Sequence, residues 1–130
     1  EHNISIIGYS PLAQGLLTGK FAAGHQFDPA DNRAKNKLFQ PENFTRAQQA
    51  LEKLRPIADR HQTSLGNLAL AWLIAQPQTH AIVGARNAEQ SVENAKAAAV
   101  KLSAEELAEI DTIGRMVTDP MDDHPIMWNW

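Results

Sequence analysis

Cysteine is absent from this 130-residue chain. Disulfides, zinc–thiolate centres and thiol nucleophiles are therefore excluded as a basis for stability or catalysis. A chain without cysteine fits a reducing compartment, and we expect a cytoplasmic location. No metal site is predicted, because metal-ligand spacing is missing among the five histidines, which are His2, His25, His61, His80 and His124.

A long apolar run and a basic stripe are also missing. The longest unbroken apolar run, residues 68–75, is far shorter than the ~20 residues that a membrane helix needs. Lysine and arginine are interspersed with acids at a formal net charge of −3, which disfavours binding to nucleic acid. We therefore expect neither a membrane nor a nucleic acid as a partner.

Two short apolar segments have the composition of strands. Residues 3–9 are rich in β-branched side chains and almost continuously apolar, which predicts a strand buried on both faces of a parallel sheet. Residues 80–84 form the second predicted strand. Between them, residues 16 to about 44 are punctuated by glycine and proline and are expected to form a long loop, and long ordered loops are usually functional.

Capping patterns and prolines predict the first two helices. Thr45 with Gln48 is a candidate capping box, and Pro56 is expected to kink or interrupt the helix that follows. Ser64 is the predicted N-cap of a second helix, which Pro77 closes. Both helices lie between the two predicted strands.

Two further helices are predicted after the second strand. Asn87 followed by Gln90 indicates a helix that continues to about residue 99. Ser103 followed by Glu106 is the clearest capping box of the chain, and Gly114 is expected near the end of the helix that it opens.

The order of strand, helices, strand and helices indicates the α/β class. Two parallel strands cannot bury both faces of a stable sheet, and a complete (β/α)8 barrel needs about 250 residues. The chain also begins with Glu1 instead of methionine, so we expect a truncated chain or an excised fragment. Its tail, residues 119–130, is apolar and is expected to pack either at the edge of a substrate pocket or against outer helices or a subunit interface.

A loop suited to phosphate follows each predicted strand. Residues 10–15 combine a hydroxyl with a turn rich in exposed backbone, and Lys20 lies nearby. After the second strand, Gly84 lets the backbone approach a ligand, while Arg86 and the helix N-terminus both attract anions. Many (β/α)8 barrels build a phosphate site from two such adjacent loops. Taken singly, either loop would be interpreted as a capped helix with a surface arginine.

Three segments resemble the aldo-keto reductases. Residues 9–20, Tyr-Ser-Pro-Leu-Ala-Gln-Gly-Leu-Leu-Thr-Gly-Lys, resemble the seventh-strand segment of the family. Residues 84–94, Gly-Ala-Arg-Asn-Ala-Glu-Gln-Ser-Val-Glu-Asn, resemble the segment after strand eight, and residues 69–73 look like the helix between them. The Ser-Pro-Leu-Ala form is similar to bacterial reductases related to potassium-channel β subunits.

This resemblance implies a fold and an activity. The chain would be the C-terminal part of a (β/α)8 TIM barrel, comprising strands 7 and 8, their helices and the C-terminal extension. The parent enzyme would reduce aldehydes or ketones with NADPH, and this chain would supply much of the NADP(H) site. Its partners would be a small carbonyl substrate and the N-terminal half of the barrel, and a homo-oligomer is a further candidate.

The resemblance also implies individual roles at the cofactor. Tyr9 would stack on the nicotinamide, and Arg86 would pair with the 2′-phosphate of the adenosine. Lys20 and Arg33 would belong to a loop that folds over the cofactor. Contacts to the adenine and its ribose would come from Gln90, Glu93 and Asn94. The predicted cofactor ligands are Tyr9, Ser10, Pro11, Leu12, Ala13, Gln14, Lys20, Arg33, Gly84, Arg86, Gln90, Glu93 and Asn94.

Other interpretations stay open at this point. Tyr9 could be a core aromatic, and Lys20 and Arg33 could be solvated loop cations. No catalytic residue is assigned, because the family's catalytic Tyr, Lys, Asp and His come from earlier strands and Tyr9, the only tyrosine here, matches the stacking position. The alternatives to a reductase segment are a non-catalytic nucleotide-binding or subunit-like module and an inactive fragment.

Overall fold

Two strands pair in parallel within residues 3–121, the part of the chain that the computed structural model describes. Strand β1 is Ile6–Tyr9 and strand β2 is Thr79–Ile82. In their register, Ile6 lies beside Thr79 and Tyr9 lies beside Ile82. Both predicted strands are confirmed, and each is shorter than predicted.

Four α-helices and four short 3₁₀ segments accompany the strands in this described part. The long segment after β1, predicted to be a loop, contains three of the 3₁₀ segments and ends where the first α-helix begins. The α-helices are α1 (Pro41–Arg60), α2 (Leu65–Ile74), α3 (Ala88–Ala95) and α4 (Ala104–Thr118). The 3₁₀ segments are Ala13–Thr18, Asn32–Lys35, Lys37–Phe39 and Lys96–Ala99.

Three of the predicted helix caps are confirmed. The side chains of Ser64 and Asn87 each accept a hydrogen bond from the backbone N–H three residues further on. Ser103 and Glu106 form a reciprocal capping box at the start of α4, with hydrogen bonds of 3.2 and 3.1 Å. These side chains satisfy backbone donors that lack a partner within the helix.

The predicted start of α1 is wrong, and Pro56 does not interrupt the helix. The helix begins at Pro41, whose fixed φ suits the first helical position, and the Thr45 hydroxyl donates to the Pro41 carbonyl instead of capping. The helix also continues through Pro56, which lies on its exposed side, where water can satisfy the freed carbonyl. The neighbouring Ile57 is fully buried and holds this turn against the core. Gly114 lies about one turn before the end of α4 at Thr118, so its predicted place near the end of this helix is confirmed.

The core lies between α1, α2 and α4 and extends beneath the 3₁₀ segments. Helix α1 packs along α4, and α2 packs against both α1 and β2. The most buried large side chains of the core are Leu51, Ile57 and Leu68. Fully burying side chains of this size contributes about 1.5–3 kcal/mol each. The core therefore depends on helix packing more than on the sheet.

The expectation that β1 is buried on both faces is wrong for this chain. Ile6, Ile7 and Ile82 are 57, 59 and 60% exposed, and Tyr9 is 82% exposed. Helix α2 covers one side of the sheet, where its Leu73 contacts the strand beside Gly8. Within residues 3–121, nothing covers the other side, and each strand has one hydrogen-bonded neighbour. Burial on both faces needs further strands that this part of the chain does not provide.

The predicted tail is described only in part. Residues 119–121 follow α4, whereas the expected packing of residues 122–130 lies outside the described residues. Within residues 3–121, no helix combines the length and the apolarity that crossing a membrane requires.

We expect the exposed sheet to drive association of the 130-residue chain, because contiguous apolar surface favours contact. Sedimentation velocity should give a mass above the 14.3 kDa of one chain. Ile7→Lys, which places a charge on the sheet, should shift the chain toward monomer. Val92→Lys is the matched control, since Val92 is equally exposed but lies on α3. A monomeric unmodified chain would contradict this expectation.

Candidate functional site

A cavity of about 740 Å³ lies where the carboxyl ends of β1 and β2 meet the N-termini of α2 and α3. Its volume is within the range of small-molecule sites. The cavity brings together most of the predicted cofactor ligands, namely Ser10, Pro11, Leu12, Gln14, Lys20, Arg33, Gly84, Arg86, Gln90, Glu93 and Asn94.

Two predicted ligands do not line this cavity. Tyr9 projects from the end of β1 with its ring largely in solvent, so it is not a core aromatic. Ala13 packs against the hydrophobic core. Their roles at the cofactor stay predictions.

A third wall of the cavity was not predicted from the sequence. The start of α2 contributes Ser64, Gly66 and Asn67. A signal for this wall was present, because α2 leads directly into β2. A helix that packs antiparallel to the following strand has its N-terminus at that strand's carboxyl end. The other missed lining residues adjoin predicted ones and are Gly15, Thr18, Ile82, Val83 and Ala85.

The loop after β1 has an unusual backbone. Ser10, Ala13 and Gln14 have φ angles of 51°, 47° and 55°, which are uncommon for residues other than glycine. A hydrogen bond of 2.8 Å from the Ala13 N–H to the Ser10 carbonyl closes the turn. Such conformations concentrate at ligand sites, where the surrounding structure enforces them.

Two cations lie against one buried aromatic ring at the cavity wall. The Lys20 Nζ lies 4.9 Å from the ring centroid of Phe21, and the Arg33 guanidinium lies 5.4 Å from it. The guanidinium is also 4.7 Å from the ring centroid of Phe27. Phe21 is 8% exposed and packs edge-to-face on Phe27 and Phe39. Cation–π contacts therefore anchor both positive charges beside the cavity.

Arg33 is additionally held by Asp31. Its Nε donates to the two Asp31 carboxylate oxygens at 2.9 and 3.2 Å. The Arg33 side-chain hydrogen bonds, with a further bond from the Arg33 backbone, lower the pKa of Asp31 from 3.8 to about 2. Arg33 is therefore a fixed, partly neutralised charge and not a solvated loop cation.

Side chains of α3 hold the loop after β2. The Arg86 N–H donates to Gln90 Oε1 at 2.8 Å, and Asn94 Nδ2 donates to the Gly84 carbonyl at 3.3 Å. The Arg86 side chain is exposed, and no acidic group among residues 3–121 lies within ion-pair distance of its guanidinium. The loop thus presents an uncompensated guanidinium at the start of a helix, where backbone N–H groups also attract anions.

The balance of charge at the cavity is positive. Lys20, Arg33 and Arg86 contribute three cationic side chains, against the single carboxylate of Glu93. Among the residues that the structure describes, no cluster of three histidine, aspartate or glutamate side chains could hold a metal ion. The arrangement suits an extended anionic ligand that spans both strand-end loops.

Comparison with known proteins identifies the family. Residues 1–115 match the sequence profile of the Aldo/keto reductase family, so the chain belongs to this family. Its structure is similar to that of the glycerol dehydrogenase AKR11B4 from Gluconobacter oxydans, with a TM-score of 0.84 and 29% sequence identity. The similarity covers 96% of this chain and 38% of the dehydrogenase chain. The solved aldo-keto reductase structures to which the chain is similar are (β/α)8 barrels.

Two related oxidoreductases have names that refer to different cofactors. The chain is 37% identical over 111 residues to the aldo-keto reductase yakc [NADP(+)] of Schizosaccharomyces pombe, covering 85% of this chain and 33% of that protein. It is 38% identical over 104 residues to the NADH-specific methylglyoxal reductase of Escherichia coli K12, covering 79% and 31%. The chain spans about a third of the length of such curated relatives. Family membership therefore does not determine which nicotinamide cofactor is bound, and the residues of the site have to be considered.

Removal of the Arg33 guanidinium should return the pKa of Asp31 toward its ordinary value of 3.8. Because the folded pKa lies below the unfolded one, the Asp31 interaction stabilises the loop above about pH 4 and is lost as the pH falls toward 2. Carboxyl ¹³C NMR titration of the native chain and of Arg33→Ala would measure both pKa values. Arg115→Ala, which removes an exposed arginine on α4, should leave the Asp31 titration unchanged. A native Asp31 that titrates near pH 4 would contradict the interpretation.

Proposed function

We propose that the chain is the C-terminal part of an aldo-keto reductase barrel and supplies its NADP(H)-binding region. Residues 1–130 would contribute strands 7 and 8 with their helices, and residues 119–130 the C-terminal extension. The observation that most strongly supports this proposal concerns one cavity at the carboxyl ends of two parallel strands. This cavity brings together cofactor ligands predicted from two segments that are far apart in sequence. The exposed sheet would be covered by the N-terminal half of the barrel.

Arg86 is the residue that favours NADP(H) over NAD(H). Its guanidinium lacks an acidic partner among residues 3–121, and it precedes the N-terminus of α3. A 2′-phosphate between this guanidinium and the helix would accept hydrogen bonds from the guanidinium and from the backbone N–H groups of the helix N-terminus. NADH cannot form these charge-assisted hydrogen bonds. Lys20 and Arg33 would face the remaining negative charge from the opposite loop.

The other parts of the cofactor would lie along the cavity between the loop after β1 and helix α3. The backbone of residues 10–14, with its exposed turn, would line the pyrophosphate. The adenine and ribose would lie against α3, where Gln90 Nε2 and Asn94 Oδ1 have no protein partner in the described residues. The exposed ring of Tyr9, at the end of β1, would stack on the nicotinamide.

In this proposal the chain binds and orients the cofactor and does not carry out proton transfer. When bound, NADPH supplies the hydride for reduction of an aldehyde or ketone. Protonation of the developing alkoxide would fall to residues of the earlier strands. The similarity to bacterial reductases related to channel β subunits and the cytoplasmic location stay predictions.

Replacement of Arg86 by alanine should selectively weaken ligands that carry the 2′-phosphate. Adenosine 2′,5′-bisphosphate is the smallest suitable probe, since the residues proposed for it all lie in this chain. Loss of a hydrogen-bonded charge pair costs about 1.5–3 kcal/mol, which is roughly a 10- to 150-fold rise in Kd. Adenosine 5′-monophosphate should bind to the native chain and to Arg86→Ala with the same affinity. Isothermal titration calorimetry measures all four affinities.

Arg115→Ala is the matched control, because it removes an exposed arginine at a distance from the cavity. It should leave both affinities unchanged. In the complete barrel, Arg86→Ala should likewise weaken NADPH far more than NADH. Equal losses for the two probes would mean that Arg86 has a structural role, and the preference for NADP(H) would have to be abandoned.

A further inference from the structure

A buried amide on α2 holds the one carboxylate of the cavity. Asn67 is 3% exposed, and its Nδ2 donates to Glu93 Oε1 at 3.1 Å. This hydrogen bond joins α2 to α3 across 26 residues of sequence. The Asn67 backbone N–H is held separately by the Ser64 hydroxyl, so the main chain at this position does not depend on the amide.

Glu93 is held from a second direction as well. Its Oε2 accepts a hydrogen bond from Lys96 Nζ at 2.6 Å, and its side chain is 48% exposed. Asn67 and Glu93 line the cavity, whereas Lys96 lies outside it. The carboxylate is therefore fixed at the cavity wall and keeps lone pairs that neither donor uses.

A fixed carboxylate in a cavity for an anionic ligand favours a ligand that presents a hydrogen-bond donor to it. The 6-amino group of adenine is such a donor on the base. Hypoxanthine and guanine carry a carbonyl at the same position, which would face the carboxylate without a proton between them. An unpaired polar contact of this kind discriminates more strongly than a missing apolar contact.

We propose that Asn67 is a positioning residue that directs Glu93 to the 6-amino group of the adenine. The proposal rests on the proposed function, because it requires an adenine nucleotide in this cavity. Asn67 itself does not touch the base. It acts through the orientation of Glu93, whose Oε1 it holds by the hydrogen bond of 3.1 Å.

Base preference tests the proposal directly. Adenosine 2′,5′-bisphosphate and inosine 2′,5′-bisphosphate are titrated against the native chain, Asn67→Leu and Glu93→Gln. The native chain should prefer the adenosine form by about tenfold or more. Asn67→Leu, which keeps the branched shape of the side chain and removes the donor, should reduce this preference to less than about threefold by weakening the adenosine form alone.

Glu93→Gln keeps the test independent of the buried substitution, since Glu93 is half-exposed. The amide can donate to a 6-carbonyl, so this variant should also lose the base preference. Both variants should retain the preference for a 2′-phosphate over adenosine 5′-monophosphate, which Arg86 confers. Circular dichroism of Asn67→Leu verifies that the helices remain.

Each contrary result has a distinct meaning. Equal weakening of both bases in Asn67→Leu, or an intact base preference in Glu93→Gln, would overturn the positioning role. Native binding that depends on Arg86 but ignores the base would overturn the inference while the proposed function stands. Absence of binding of either bisphosphate by the native chain would overturn both.

Discussion

The parallel pairing of β1 and β2 is the constraint on which the candidate site depends. Tyr9 and Ile82 lie side by side, so the chain leaves both strands at the same edge of the sheet. The loop after β1 and the loop after β2 consequently face each other across one cavity, although α1 and α2 both lie between them in the sequence. Helices α2 and α3 then direct their N-termini to this edge, because helices in such units pack antiparallel to the strands.

Much of this arrangement could be predicted from the sequence, because the signals are local. Strand composition, the capping residues Ser64, Asn87 and Ser103, and the loops after the strands all indicate their own structure. The local signal at Pro56 does not interrupt α1, because burial of the adjacent Ile57 holds the helix through the proline. The burial predicted for β1 failed for the opposite reason, since it requires flanking strands that residues 3–121 do not supply.

The side-chain contacts within the site join residues far apart in sequence, and a single sequence gives no signal of them. The sequence indicates only that Asn67 belongs to a capped helix, whereas in the structure its amide donates a hydrogen bond to Glu93 of the next βα unit. The family resemblance predicts that Arg33 lies over the cofactor, but its pairing with Asp31 and its contacts with Phe21 and Phe27 depend on how the long loop folds. The charge pattern of the cavity follows from these contacts, because they determine which cations remain uncompensated.

The proposed function requires that the two strand-end loops form one nucleotide site. Amide ¹H–¹⁵N NMR of the labelled chain, titrated with adenosine 2′,5′-bisphosphate, measures whether they do. We expect the amide signals of residues 10–15 and 84–94, with those at the start of α2, to shift together and to saturate with one affinity. The amide signals of α4, which the cavity does not include, should not shift. Shifts confined to one loop, or distributed over α4, would show that the two loops do not form one site.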